Sequence, residues 1–93
     1  MKIVINRCFG GFGLSDQALE MYSTAKKLNP NNCWESEIAR DDPVLVHIVE
    51  SLGEQANGKY SELKVVDIPD DVDWIVEEYD GMEYVAERHR VWS

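Results

Sequence analysis

The sequence predicts a small α+β domain in the order β-α-α-β-β-β, and three observations carry that expectation. Ile3, Val4 and Ile5 form a short apolar run suited to a buried strand. Two later segments repeat apolar residues at helical spacing. Near the end, Asp80-Gly81 separates two strand-like segments and is the strongest short-range hairpin signal in the chain. Together they predict one domain over residues 1–93: a mixed sheet of about four strands, two helices on one face and a C-terminal hairpin.

The first strand, Lys2 to Ile5, runs into the glycine-rich stretch Asn6-Arg7-Cys8-Phe9-Gly10-Gly11-Phe12-Gly13. Ser15 is a good N-cap with Asp16 in the first turn, where negative charge is favoured. Leu14, Ala18, Met21, Ala25 and Leu28 then mark one helical face, which ends with Lys26, Lys27 and Asn29-Pro30. Residues 29–41 read as a loop in which Trp34 is the large apolar anchor. Asp42-Pro43 opens a second helix with apolar residues Leu45, Ile48, Val49, Leu52 and Ala56, and Asn57-Gly58 is expected to end it. A strand from Leu63 to Ile68 stops at Pro69-Asp70-Asp71. Pairing of that strand with the first through a helical crossover would give the mixed sheet, a small α/β variant of the class. In the hairpin, a two-residue turn sets Tyr79 opposite Met82, Glu78 opposite Glu83, Glu77 opposite Tyr84 and Val76 opposite Val85.

Composition narrows the function classes. Hydrophobic residues make up 44% of the chain, enough for a packed core. The net charge of −9 is uneven. Residues 1–34 carry +2, residues 35–61 carry −4, and residues 62–93, with ten acidic and three basic side chains, carry −7. Such a surface disfavours direct contact with nucleic acid or an anionic membrane, both polyanions, and suits a basic protein partner. The two cysteines, Cys8 and Cys33, match no zinc or disulfide framework. With no signal peptide and no membrane span expected, a cytoplasmic location follows.

Two segments are candidate sites. A glycine-rich turn before a helix start can aim backbone N–H groups at an anion. The residues expected to bind a small, nucleotide-like anion are Arg7, Phe9, Gly10, Gly11, Phe12, Ser15, Arg90 and Trp92. The arginines would supply charge and the aromatic rings a stacking surface. The turn matches neither a phosphate loop nor a full dinucleotide fingerprint. The alternative site is the acidic hairpin, in which Glu77, Glu78 and Glu83 would enter a basic groove on another protein. Glu78 facing Glu83 costs stability unless a cation or solvent relieves it, and an exposed face is expected. Arg40 in Arg40-Asp41-Asp42-Pro43 reads as half of a surface ion pair. No catalytic set is assignable: spacing gives Cys8 no acid–base partner, His47 reads as half-buried packing beside the apolar face of the second helix, and no metal or cofactor is expected.

The opening Met1-Lys2-Ile3-Val4-Ile5-Asn6-Arg7-Cys8-Phe9-Gly10-Gly11-Phe12 resembles a group of small phage and prophage proteins. Arg40-Asp41-Asp42-Pro43, Leu52-Gly53-Glu54, Glu78-Tyr79-Asp80-Gly81 and His89-Arg90-Val91-Trp92 share that resemblance. The segment between the first helix and Arg40 is shorter here than in that pattern. The resemblance implies a bacteriophage origin and the cytoplasm of an infected cell. It brings no activity and no functional residues. The expectations are therefore a phage accessory protein, not an enzyme, that sequesters a small anionic host-defence signal, or an acidic inhibitor of a host protein. Assembly into homo-oligomers is compatible with either.

Overall fold

The first strand, β1 (Lys2–Asn6), is the centre of the molecule because both of its faces are covered: Ile3, Val4, Ile5 and Asn6 are all at most 2% exposed. The computed structural model describes residues 1–28 and 38–87. The sequence-based expectations for Cys33, Trp34, Arg90 and Trp92 lie outside those residues. Helix α1 spans Asp16–Lys26 and helix α2 spans Pro43–Leu52, followed by a 3₁₀ turn over Gly53–Ala56. Strands β2 (Leu63–Asp67), β3 (Trp74–Tyr79) and β4 (Met82–Glu87) complete the order. The class is α+β.

The helix starts follow from their caps. Ser15 Oγ accepts from the Ala18 N–H, and Asp42 Oδ1 accepts from the Val44 N–H with Pro43 following it. Helix α2 buries Leu45, Ile48 and Val49 of the face its spacing predicts, with Val46 beside them, while Leu52 is half-buried and His47, expected to be half-buried, is exposed. It ends earlier than expected, at Gly53, whose φ of 59° breaks the regular helix, and the chain tightens into the 3₁₀ turn before Asn57-Gly58.

The buried stripe of α1 differs from the expected one. Ala18, Tyr22 and Ser23 are buried, whereas Ala25 is exposed and Leu28 is 47% exposed. Tyr22 turns the helix by anchoring it: its hydroxyl donates to Asp42 Oδ2 at 2.8 Å, while Lys26 Nζ lies 3.0 Å from the same oxygen. The helix stops at Lys27, in the left-handed conformation, where the Leu28 N–H donates to the Ser23 carbonyl.

The expected mixed sheet of about four strands is not what the described residues form. They make two separate antiparallel pairs, β1 with β2 and β3 with β4. β2 is antiparallel to β1 because the helical excursion returns to the end of β1 from which it left. The Ser15 N–H bonds the Ala56 carbonyl, Leu14 bridges Asn57, and the Arg7 N–H bonds the Glu62 carbonyl. Helix α2 lies on this pair, and α1 packs on α2 and the 3₁₀ turn. β4 lies beside β1 without joining its ladder.

The Tyr22–Asp42–Lys26 cluster gives a pH test. Burial raises the Asp42 pKa, but the hydrogen bonds from Lys26, Tyr22 and the Val44 N–H outweigh that and hold it below the ordinary carboxylate value. A carboxyl lowered in the folded state stabilises above its unfolded pKa of about 3.9 and loses that stabilisation as pH falls through the folded value. Asp42→Asn keeps the cap and removes the charge. Urea denaturation should therefore show wild type more stable than Asp42→Asn at about pH 6, with the gap closing in acid. A gap independent of pH would contradict the assignment.

Candidate functional site

The glycine-rich segment and the hairpin, expected as two separate sites, form one assembly. Its centre is Asn6, which is fully buried. Asn6 Nδ2 donates to the carbonyls of Cys8 at 2.6 Å and Gly81 at 2.8 Å. Asn6 Oδ1 accepts from the N–H groups of Cys8 at 3.2 Å and Glu62 at 2.8 Å. One amide thus ties together the glycine-rich turn, the approach to β2 and the hairpin tip.

The hairpin turns as predicted, in the predicted register. Asp80 and Gly81 both have positive φ, 52° and 89°, as a two-residue turn between twisted strands requires. The Gly81 backbone lies against the glycine-rich turn: a Cβ there would sit 2.5 Å from the Phe9 carbonyl oxygen and 2.7 Å from the Gly11 nitrogen. A Cβ on Gly10 would overlap the Tyr60 carbonyl. These glycines give room to neighbouring backbone, and that is the role the structure assigns them.

Glu83 departs furthest from expectation. It points inward and is 4% exposed, whereas Glu77 and Glu78 are both exposed. The cation that the opposed Glu78 and Glu83 call for is Arg40. Its guanidinium meets the Glu83 carboxylate with two parallel hydrogen bonds, Nη1 to Oε1 and Nη2 to Oε2, the second at 2.8 Å. The guanidinium also lies 3.7 Å from the centroid of the Phe12 ring. The expectation that Arg40 forms a weak surface pair is corrected: the carboxylate partner is desolvated, and removing one member of such a pair costs about 3–5 kcal/mol.

The pair also explains why β4 stays out of the β1 ladder. Met1 and Arg7 bond toward the β2 side, so the alternating pattern turns Val4 and Asn6 toward the other edge. There the Val4 N–H donates to the Arg40 carbonyl at 2.8 Å, and the Asn6 N–H donates to Glu83 Oε1 at 2.8 Å. Arg40 Nη1 reaches the Val4 carbonyl at 3.4 Å. Side chains and a loop carbonyl occupy the edge where another strand would bind.

The expected anion-binding residues are mostly engaged within the chain. Arg7 Nη1 donates to the Glu83 carbonyl at 3.0 Å. Phe12 faces the Arg40 guanidinium. Ser15 Oγ donates to the Gln55 carbonyl while capping α1. The Cys8 and Gly11 N–H groups bond to Asn6 Oδ1 and the Cys8 carbonyl, respectively. Phe9 is the exposed member, at 62%. Beside the turn lies an open hollow of about 570 Å³, lined by Cys8, Asn57, Ser61 and the carboxyl-bearing Glu54 and Glu62, with no basic side chain in its wall. That sign repels an anion. Among the described residues, no group of three or more acidic, His or Cys side chains is placed to hold a metal ion.

The sequence reading missed Asn6, Arg40 and Tyr60. A polar residue closing a buried apolar strand was the available signal for Asn6. For Arg40 it was the mismatch between two facing glutamates and the one Lys or Arg in residues 35–58. Comparison with known protein families, with curated proteins and with solved structures returns no match for this chain.

Gly10→Ala tests the close approach to Tyr60. It should lower stability by about 2 kcal/mol, in the range of overpacked sites, in urea denaturation. A neutral Gly10→Ala would mean that the turn does not press on Tyr60.

Proposed function

We propose that this protein is a small acidic interaction module whose C-terminal hairpin docks on a basic surface of another protein. The observation that carries this reading is the outward face of the hairpin. Tyr79 is 71% exposed and Tyr84 is 46% exposed, with the exposed Glu77 on the same face and Glu78 and Asp80 also open to solvent. The Tyr84 hydroxyl donates to Glu77 at 2.6 Å, which holds the carboxylate in place and pushes the phenol pKa up. Exposed tyrosines combined with fixed carboxylates suit protein recognition, because aromatic rings supply contact area and the charges orient the approach.

Glu83 has no part in this surface; it secures the hairpin from below. The contacting residues are Glu77, Glu78, Tyr79 and Tyr84. The phage resemblance makes the partner a host protein, with a groove whose positive charge matches the −7 of residues 62–93. Occupying such a groove would inhibit the partner by exclusion, without chemistry. The acid-lined hollow beside the glycine-rich turn argues against the anionic-ligand alternative.

Tagged protein should retain a basic partner from bacterial lysate in about 0.05 M salt and release it in about 0.5 M, where the Debye length falls to a few ångströms. The double substitution Glu77→Gln with Glu78→Gln should reduce retention at least about tenfold, through slower association. Retention indifferent to salt and to both substitutions would contradict the proposal.

A further inference from the structure

We infer that the partner is held by strand addition: an extended, basic segment pairs with the edge of β3 along which no described strand lies. This inference rests on the docking reading above and specifies its geometry. The two-residue turn makes Tyr79 and Met82 the first hydrogen-bonded pair of the hairpin. Alternation then directs the Glu77 and Ile75 main chain toward β4, and the N–H and C=O groups of Val76 and Glu78 away from it. The same alternation turns the Glu83 carbonyl outward on the β4 side, where Arg7 Nη1 meets it at 3.0 Å. The β4 side therefore faces β1 and Arg7. No described strand pairs along the β3 side.

A hairpin of two strands is marginal by itself, and a third strand adds a ladder of main-chain hydrogen bonds. Charge decides the occupant. An added strand meets Glu77 on one face of the sheet and Glu78 on the other, both exposed. Lysines or arginines on that strand would form favourable cross-strand pairs with them. A second copy of this chain, pairing β3 with β3, would set these glutamates against their own kind, which the same rule opposes. The occupant is therefore a basic extended peptide with alternating apolar residues. It places the apolar side chains beside Tyr79 when its cations reach Glu78, or beside Val76 when they reach Glu77.

The test uses the full chain labelled with nitrogen-15 and the blocked peptide Lys-Val-Lys-Val-Lys-Val-Lys. A control peptide with N-methyl groups on its third and fourth residues keeps every charge and loses an edge-facing N–H in either register, so it cannot complete the ladder. The first peptide should slow hydrogen exchange at the Val76 and Glu78 amides at least about tenfold, leave the Glu77 and Tyr79 amides unchanged, and bind more tightly than the control. Glu78→Pro, which removes one edge donor, should abolish that preference while the Tyr79 and Met82 signals show an intact hairpin. Equal binding of both peptides, lost in Glu77→Gln with Glu78→Gln, would overturn strand addition and leave docking by charge standing. Self-association of the unliganded chain through β3 would also overturn it. Loss of salt-sensitive retention from lysate would remove the underlying docking reading.

Discussion

The Arg40–Glu83 pair is the interaction on which the rest of the structure depends. It joins the loop before α2, the edge of β1 that faces away from β2 and the hairpin, three segments far apart in sequence. A charge pair taken out of water returns little net stability, yet leaving either member alone is costly. The pair therefore acts chiefly to select one arrangement. With Glu83 bonded to Arg40 and to the Asn6 N–H, the hairpin is fixed with one face inward and its tyrosines outward. Phe12 against the guanidinium adds a flat apolar support to the same cation.

This arrangement changes the meaning of the glycine-rich segment. A strand-to-helix turn rich in glycine is a familiar way to bind an anion, and the same freedom also allows two backbones to touch. Here Gly10 accommodates Tyr60, and Gly81 of the hairpin turn settles against Phe9 and Gly11. Asn6 then completes the contact by bonding both sides of it. The chain uses its conformationally free residues to seat the hairpin, whose outward face carries the exposed Glu77, Tyr79 and Tyr84.

Local features of the fold were legible in the sequence. Asp80-Gly81 defined a two-residue turn, and the turn fixed every cross-strand pair of the hairpin. Asp42-Pro43 marked the start of α2, and its apolar spacing marked the buried face. Features set by distant contacts were not legible. The stripe of α1 follows Tyr22 because its hydroxyl finds Asp42, which helical spacing alone does not encode. The separation of the strands into two pairs depends on which groups fill the β1 edge. Glu83 illustrates both cases: its opposition to Glu78 was readable and demanded a cation, but nothing local identified Arg40 as that cation or predicted its burial.

A double-mutant cycle on Arg40→Met and Glu83→Gln, followed by urea denaturation, tests this account most directly. Each single substitution should cost about 3 kcal/mol, and the double variant should cost well below the sum, giving a coupling of about 2 kcal/mol or more. In Glu83→Gln, the Ile75, Glu77 and Tyr84 amides of the hairpin should also lose protection from hydrogen exchange before those of β1 and β2. A coupling below about 0.5 kcal/mol, the level expected for independent sites, would contradict the claim that this pair fixes the hairpin to the body of the fold.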